Sequence, residues 1–336
     1  MTVAQRLLSL LPADLAHEIG QLAFRVDWLW SWIGPQLRLE SEMTRTHLCG
    51  LELDSPIGLA AGYDKDGDLL KNLMKLDFSF ITVGSVTLHP RAGNPRPRLS
   101  RFSREQGLGN AMGLPSKGLS YVLGRLSRVP RVKPIIGSIA GFTPTEYHTL
   151  YTRLRALVDL VEINVSSPTF PQAGFDAEMQ RLVDILKTLR PEDRAKALIK
   201  IPPYERVEEV QELLAICRRY GVGGVTATNT KRISDPRLSR GMGGLSGRPL
   251  LRSTRRIVRM IRQMDERIQL VACGGVFTGR DVMELIGLGA NAVSILTSFI
   301  YRGPAAPRSI KQELISELRR WGLSSVEEAR GHLLRR

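Results

Sequence analysis

Residues 162–171 read EINVSSPTFP. A strand-like run, Val161-Glu162-Ile163-Asn164-Val165, stops at two serines and a proline. An apolar run of this length, cut off by hydroxyls and a Pro-fixed turn, fits a buried strand whose end is presented to something polar. Its neighbours decide which sheet it belongs to. Similar short apolar runs stand at 56–61, 79–84, 134–140, 159–165, 197–201, 223–228, 269–273 and 291–296. Between most of them lie helical patterns: Asp176–Leu189, Val207–Tyr220, Ser253–Met264 and Gly279–Leu288. Continuous apolar strands alternating with amphipathic helices predict a parallel sheet covered by helices. Eight such strands match the α/β class and the (β/α)8 TIM barrel, here with an N-terminal helical extension. A doubly wound sheet is the rival. Its dinucleotide fingerprint is missing, because GLAAGYDKDG (58–67) does not fit GxGxxG.

In barrels the active site sits at the C-terminal ends of the strands. Those ends carry Lys65, Ser85, Asn164 with Ser166 and Ser167, Lys200, Asn229 with Thr230, Gly274-Gly275, and Thr297-Ser298. One such residue is usually a satisfied structural group; so many around one mouth form a candidate site. GGLSGRP (243–249) and CGG (273–275) supply turns whose backbone N–H groups can approach a phosphate. Alone, Gly274-Gly275 is equally a tight turn. A lysine at a strand end can stabilise negative charge on a reduced flavin. Together these features predict a phosphorylated, planar cofactor.

The bulk composition narrows the alternatives. The 336 residues are 43% hydrophobic and 24% charged, with three dispersed cysteines and five dispersed histidines. No CxxC pair or histidine cluster is present, so no metal site is expected. The net charge of +15 is spread along the chain, as in RSTRRIVRMIR (252–262), without interleaved aromatics. No nucleic-acid partner is expected from that pattern. No stretch reaches the roughly 18 to 20 apolar residues that cross a bilayer. Residues 3–33 are helical in pattern, with Pro12 opening a second helix and Trp28, Trp30 and Trp32 crowded into RVDWLWSW. This segment is either a lid on the barrel or an amphipathic pair at a lipid interface.

Several motifs in order resemble the dihydroorotate dehydrogenase family. They are GLAAGYDKDG (58–67), GSVTLHPRAGNPRPRLSRF (84–102), NAMGLP (110–115), NVSSP (164–168), KIPP (200–203), ATNT (227–230), GGLSGRPL (243–250) and ACGGV (272–276). The resemblance implies an FMN-dependent barrel that oxidises dihydroorotate to orotate in pyrimidine (UMP) synthesis. PADLAHE (12–18) and Ser167 in NVSSP resemble the quinone-dependent, membrane-associated class. NAMGLP, PIIGSIAGFTP (134–144) and KIPPY resemble the soluble class. On the quinone-class reading, residues 1–45 form the quinone-access segment and 46–336 the FMN barrel. The protein then sits peripherally on the cytoplasmic side of the cell membrane.

By the same resemblance, Ser167 is the catalytic base. Lys65, Asn110, Asn164, Thr169, Asn229 and Thr230 bind substrate. Ala61, Gly62, Ser85, Asn164, Lys200, Thr228, Ser246, Gly247, Gly274, Gly275, Thr297 and Ser298 hold FMN. His17 and Arg101 lie towards quinone. An amide suits the pyrimidine edge, since it both donates and accepts. Five features depart from the family pattern: Ala111 stands for arginine, Leu114 for phenylalanine, Thr169 for asparagine and Phe170 for threonine, and the lysine usual in the third-strand turn is absent from IAGFT (139–143). These leave open a different dihydropyrimidine or cyclic amide as substrate, or a catalytically weakened homologue. An RNA-acting flavin reductase is a further alternative, favoured by charge but lacking that family's catalytic cysteine.

Overall fold

The computed structural model describes residues 10–166 and 174–335. Eight strands pair in parallel and close on themselves: β1 (Ile57–Leu59), β2 (Ile81–Val86), β3 (Ile135–Ile139), β4 (Leu160–Asn164), β5 (Ala197–Ile201), β6 (Gly224–Ala227), β7 (Gln269–Cys273) and β8 (Ala292–Ile295). Each follows its predecessor around the barrel, and β8 pairs with β1. Amphipathic helices lie between them, among them Gly174–Thr188, Val207–Tyr220, Leu251–Met264 and Gly279–Gly287. The (β/α)8 expectation holds, and the doubly wound rival falls because the sheet has no free edge.

Alternation along each strand divides the barrel into an outer and an inner set. Outward residues such as Ile163, Ile199, Val225 and Leu270 join the helix faces in the main core. Each such fully buried aliphatic side chain contributes about 1.5–3 kcal/mol. Inward residues form layers. At the N-terminal end Phe80, Ile136, Leu160, Leu198 and Val271 pack with Leu48 and Leu53. Those two leucines come from an antiparallel hairpin, Thr46–Leu48 with Leu51–Leu53, that floors the barrel. Phe80 swings across the axis over Gly58, where a Cβ would meet its ring at 2.2 Å. One layer higher the interior turns polar, with buried Thr82, Ser138, Glu162, Lys200, Thr226 and Ser294.

The mouth sheet lay beyond the sequence pattern. The loops after β2 and β6 each contribute two strands to one antiparallel sheet, ordered Lys231–Ser234, Met242–Gly247, Gly107–Asn110 and Leu99–Phe102. This sheet stands at the C-terminal mouth. Among its described residues the N-terminal segment carries the helices α1 (Ala13–Phe24) and α2 (Asp27–Ile33), with Pro12 at the start of α1 as expected. Asp14 accepts backbone N–H bonds from Arg98 and Leu99 at 3.1 and 3.3 Å, tying α1 to that sheet. Asn72 donates to the Phe24 carbonyl and to Asp27, both at 2.8 Å, tying the helix junction to the barrel. The three clustered tryptophans part company. Trp30 is buried, while Trp28 and Trp32 are 73% and 68% exposed. No helix among the described residues is long and apolar enough to cross a membrane.

Candidate active site

A cavity of about 1270 Å³ fills the C-terminal mouth. Its floor is the ring of strand ends, one wall is the four-stranded sheet, and another is α1. Among the described residues, every sequence-nominated site residue lines it. Ser167 and Thr169, with the Phe170 departure beside them, fall outside the described residues.

Three amides converge. Asn164 ends β4, donates to Ser85 Oγ at 2.9 Å and accepts from Asn229 Nδ2 at 3.3 Å. Asn229 follows β6, also donates to Ser166 Oγ at 3.1 Å, and takes the Thr230 N–H on its Oδ1 at 2.8 Å. Ser85 in turn contacts Ser138 Oγ at 3.0 Å. Beneath the layer, Tyr147 donates its buried hydroxyl to the Asn164 carbonyl at 2.8 Å. Asn110 projects from the mouth sheet, where its Nδ2 donates to the Gly244 carbonyl at 3.1 Å. Each amide is therefore held in one orientation, which a planar ring of alternating N–H and C=O groups requires.

Two lysines differ in their environment. Lys200 pairs with Glu162 at 3.2 Å. Burial disfavours its charge, but the Glu162 carboxylate and the nearby Cys273 together outweigh burial and raise its pKa. Among the described residues Lys65 has no such close partner. Burial pulls its pKa down to about 8, with Asp66 pushing up and Lys200 pulling down. An unpaired ammonium in a cavity wall is a binding group for a small carboxylate.

The opposite side suits a phosphate. Gly247, Gly274 and Gly275 all have positive φ and line the cavity. A Cβ on Gly275 would stand 2.4 Å from the Leu251 amide nitrogen, so the wall there has room only for backbone. Ser246 Oγ donates to the Leu108 carbonyl at 3.1 Å and accepts from Thr297 Oγ1 at 3.0 Å. Ser298 Oγ is buried in the wall with no partner among the described residues. An orphaned hydroxyl beside side-chain-free turns fits a phosphorylated cofactor.

Towards α1 the cavity becomes apolar. Ala13, Ala16, Gly20 and Ala23 face it, and their spacing of three and four is a helical stripe of small residues. Burial lowers the His17 pKa to about 4, so its ring is neutral; Gln21 Nε2 lies 3.1 Å from it. Arg101 projects from the sheet and donates to the Leu11 carbonyl.

Sequence reading passed over three contributors. Asn94 and the small-residue stripe line the cavity, and Glu162 lies under Lys200. The stripe was readable from its period. Glu162 was readable as the inward neighbour of Asn164, two residues back along the same strand.

Comparison with known proteins follows the same line. The family model described as dihydroorotate dehydrogenase matches residues 43–318. The protein named dihydroorotate dehydrogenase (quinone) from Chloroflexus aurantiacus is 34% identical over 335 residues, covering 90% of this chain and 92% of its own. The protein of that name from Methylococcus capsulatus is 36% identical over 323 residues, covering 89% and 94%. The crystal structure of the Eimeria tenella enzyme in complex with ferulenol superposes with a TM-score of 0.80 at 28% identity, covering 94% of this chain and 96% of that one.

Proposed function

This chain belongs to the dihydroorotate dehydrogenase family of oxidoreductases, and from that premise we propose that it oxidises dihydroorotate to orotate with FMN as cofactor and quinone as electron acceptor, in pyrimidine synthesis. The observation that carries the reading is the convergence of Asn110, Asn164, Asn229 and the unpaired Lys65 on one cavity. Three oriented amides suit the imide edges of the ring, and Lys65 suits its carboxylate.

The net reaction removes a proton from C5 and a hydride from C6 of the substrate, and the quinone takes up two electrons and two protons. FMN, when bound, carries the two electrons between them. Gly274, Gly275, Gly247 and Ser298 would hold its phosphate, and Lys200 would face its ring system. Asn164, fixed through Ser85 and Tyr147, would orient the substrate so that C5 faces the base. Ser167 is that base in our reading. A serine needs activation by its surroundings to act so. Asn229 would hold the substrate edge and, through Ser166, the start of the segment that carries Ser167.

Quinone would enter between α1 and the mouth sheet, past His17 and Arg101. Leu15, Leu22, Trp28 and Trp32 present apolar surface on the outer side of the helix pair. Such a face beside an apolar cavity suits peripheral attachment to the cytoplasmic side of the cell membrane.

The test is anaerobic mixing of the purified protein with dihydroorotate while flavin absorbance is followed. Bleaching that is reversed by quinone is expected, and Ser167→Ala should slow the bleaching by orders of magnitude. A flavin that dithionite bleaches but dihydroorotate does not would reject this substrate. Leu114 lines the cavity, and with Thr169 it would then direct the search to other dihydropyrimidines.

A further inference from the structure

One charge pair in the barrel interior has no part in the substrate chemistry above. Along β4, Glu162 and Asn164 face the same way, since side chains alternate on a strand. In the register with β5, Asn164 lies beside Lys200 and Glu162 beside Leu198. Lys200 therefore sits a layer above Glu162 and reaches back to it, Nζ to Oε1, at 3.2 Å. The two side chains are only 7% and 5% exposed. Below them the interior is apolar, with Leu160, Leu198 and Phe80. Above them Lys200 forms part of the cavity floor.

A buried ion pair is a poor device for stability, because desolvating two charges offsets most of their attraction. Apolar side chains would fill this layer as well, as they do the layer beneath. Holding the pair directly under a redox cavity gives it another use. A lone ammonium beneath a flavin stabilises the negative charge that reduction adds. A carboxylate 3.2 Å from that ammonium cancels much of its field.

We propose that Glu162 is a positioning residue for electron transfer: it fixes the Lys200 ammonium at the cavity floor and offsets its charge, which keeps the reduction potential of the bound flavin low enough to release electrons to the acceptor. This rests on the FMN reading. The other titratable groups facing Lys200 are Cys273 at the end of β7 and Lys65 after β1. Burial pushes the Cys273 thiol up, so it is neutral, and Lys65 adds positive charge. Among the described residues, Glu162 is thus the group that balances Lys200.

The experiment is a dye-equilibrated redox titration of the flavin-loaded full-length protein at about pH 6.5, where an unpaired lysine stays charged. Glu162→Gln keeps the size and a hydrogen-bond acceptor while removing the charge. It should shift the reduced-to-oxidised ratio at fixed poise at least about tenfold towards reduced, or about 30 mV for a two-electron couple. Glu162→Asp keeps the charge but shortens the reach, and should shift the ratio less, in the same direction. In a Lys200→Met background the Gln change should produce a much smaller shift. Flavin-loaded Gln and Asp variants that titrate as the wild type would overturn the proposal. So would a Gln shift of full size without Lys200. Should the Gln variant fail to fold, an Asp variant at the wild-type potential overturns it alone. Wild-type protein that binds no FMN would overturn the cofactor reading as well, which separates the two failures.

Discussion

Trp30 lies flat on Phe24, with ring centroids 4.2 Å apart and planes 5° from parallel. The stack is fixed at both ends: Trp30 donates its indole N–H to the Ala23 carbonyl at 2.8 Å, and Phe24 meets Tyr63 edge-on at 5.9 Å. It joins α2 to α1 and α1 to the barrel, beside the cavity wall. Trp30→Ala should remove about 3–5 kcal/mol of packing from this junction. The barrel keeps its own core, so the loss should appear as faster proteolysis within residues 10–33 and not as global unfolding. Quinone-dependent turnover should fall by about tenfold or more, while flavin reduction by dihydroorotate changes by less than about twofold. Equal loss of both half-reactions would mean that the helix pair supports the barrel and not the acceptor's path.

Gly275 can be tested through cofactor content. Its φ is 82°, and a Cβ would lie 2.4–2.6 Å from the backbone and Cβ of Leu251. Leu251 begins the helix Leu251–Met264, so the clash cannot be relieved by one side chain moving. Gly275→Ala should purify with at most about a tenth of the flavin per protein, read from the visible-to-ultraviolet absorbance ratio. Full flavin content in a folded variant would show that the turn does not approach the cofactor.

Much of this architecture is legible in the sequence, for a physical reason. Barrel strands are buried on both faces, so each reads as an apolar run, and each stops where its end meets the polar mouth. The helix Val207–Tyr220 matches its pattern at both ends, with Gly221 in the left-handed region closing it. The mouth sheet is different. Its strands GLGN (107–110) and MGGLSG (242–247) are glycine-rich, because Gly109 and Gly243 lie against Ser100 Oγ and the Asn110 carbonyl. Glycine lowers strand propensity, so these segments read as loops. The tryptophans show the same limit. On a helix Trp28 and Trp32 share one face and Trp30 points to the other, but only the fold shows which face is buried, Trp30 against Phe24. Glu162 was visible as a charge in an apolar strand; that it answers Lys200 needed the register of β4 on β5.

Asp64 provides a stability test with a defined sign. It is buried behind Lys65 and accepts the Leu69 N–H at 3.1 Å. Burial raises its pKa to about 7, against backbone hydrogen bonds that lower it. Between about pH 4 and pH 7 the folded state thus binds a proton that the unfolded state has released, so this group's contribution to stability falls as pH rises. Asp64→Asn removes that dependence. The variant should melt about 2 °C or more above the wild type at pH 8, with the difference shrinking towards pH 4. A variant that melts lower at pH 8 would show that the charged carboxylate is satisfied in the fold.

Lys65 couples stability and binding in opposite directions. Its pKa of about 8, set first by burial, lies below the ordinary lysine value of 10.5. The unfolded chain therefore holds its proton more tightly than the folded one. The cost of charging Lys65 is present in full below pH 8 and is relieved as pH rises from 8 towards 10.5. Lys65→Met should accordingly melt above the wild type at pH 7. The same charge is what a substrate carboxylate would meet, so the variant should bind dihydroorotate at least about tenfold more weakly. In the wild type, binding raises the lysine pKa, so affinity should hold up to about pH 8 and then weaken by at most about tenfold per pH unit. Scanning calorimetry of both proteins at pH 7 and calorimetric titration with dihydroorotate from pH 7 to pH 10 together measure all three effects. A Met variant that is more stable yet binds as tightly would assign the carboxylate to another cation. One that is less stable would show that the lysine stem packs the wall, and that its charge costs the fold little.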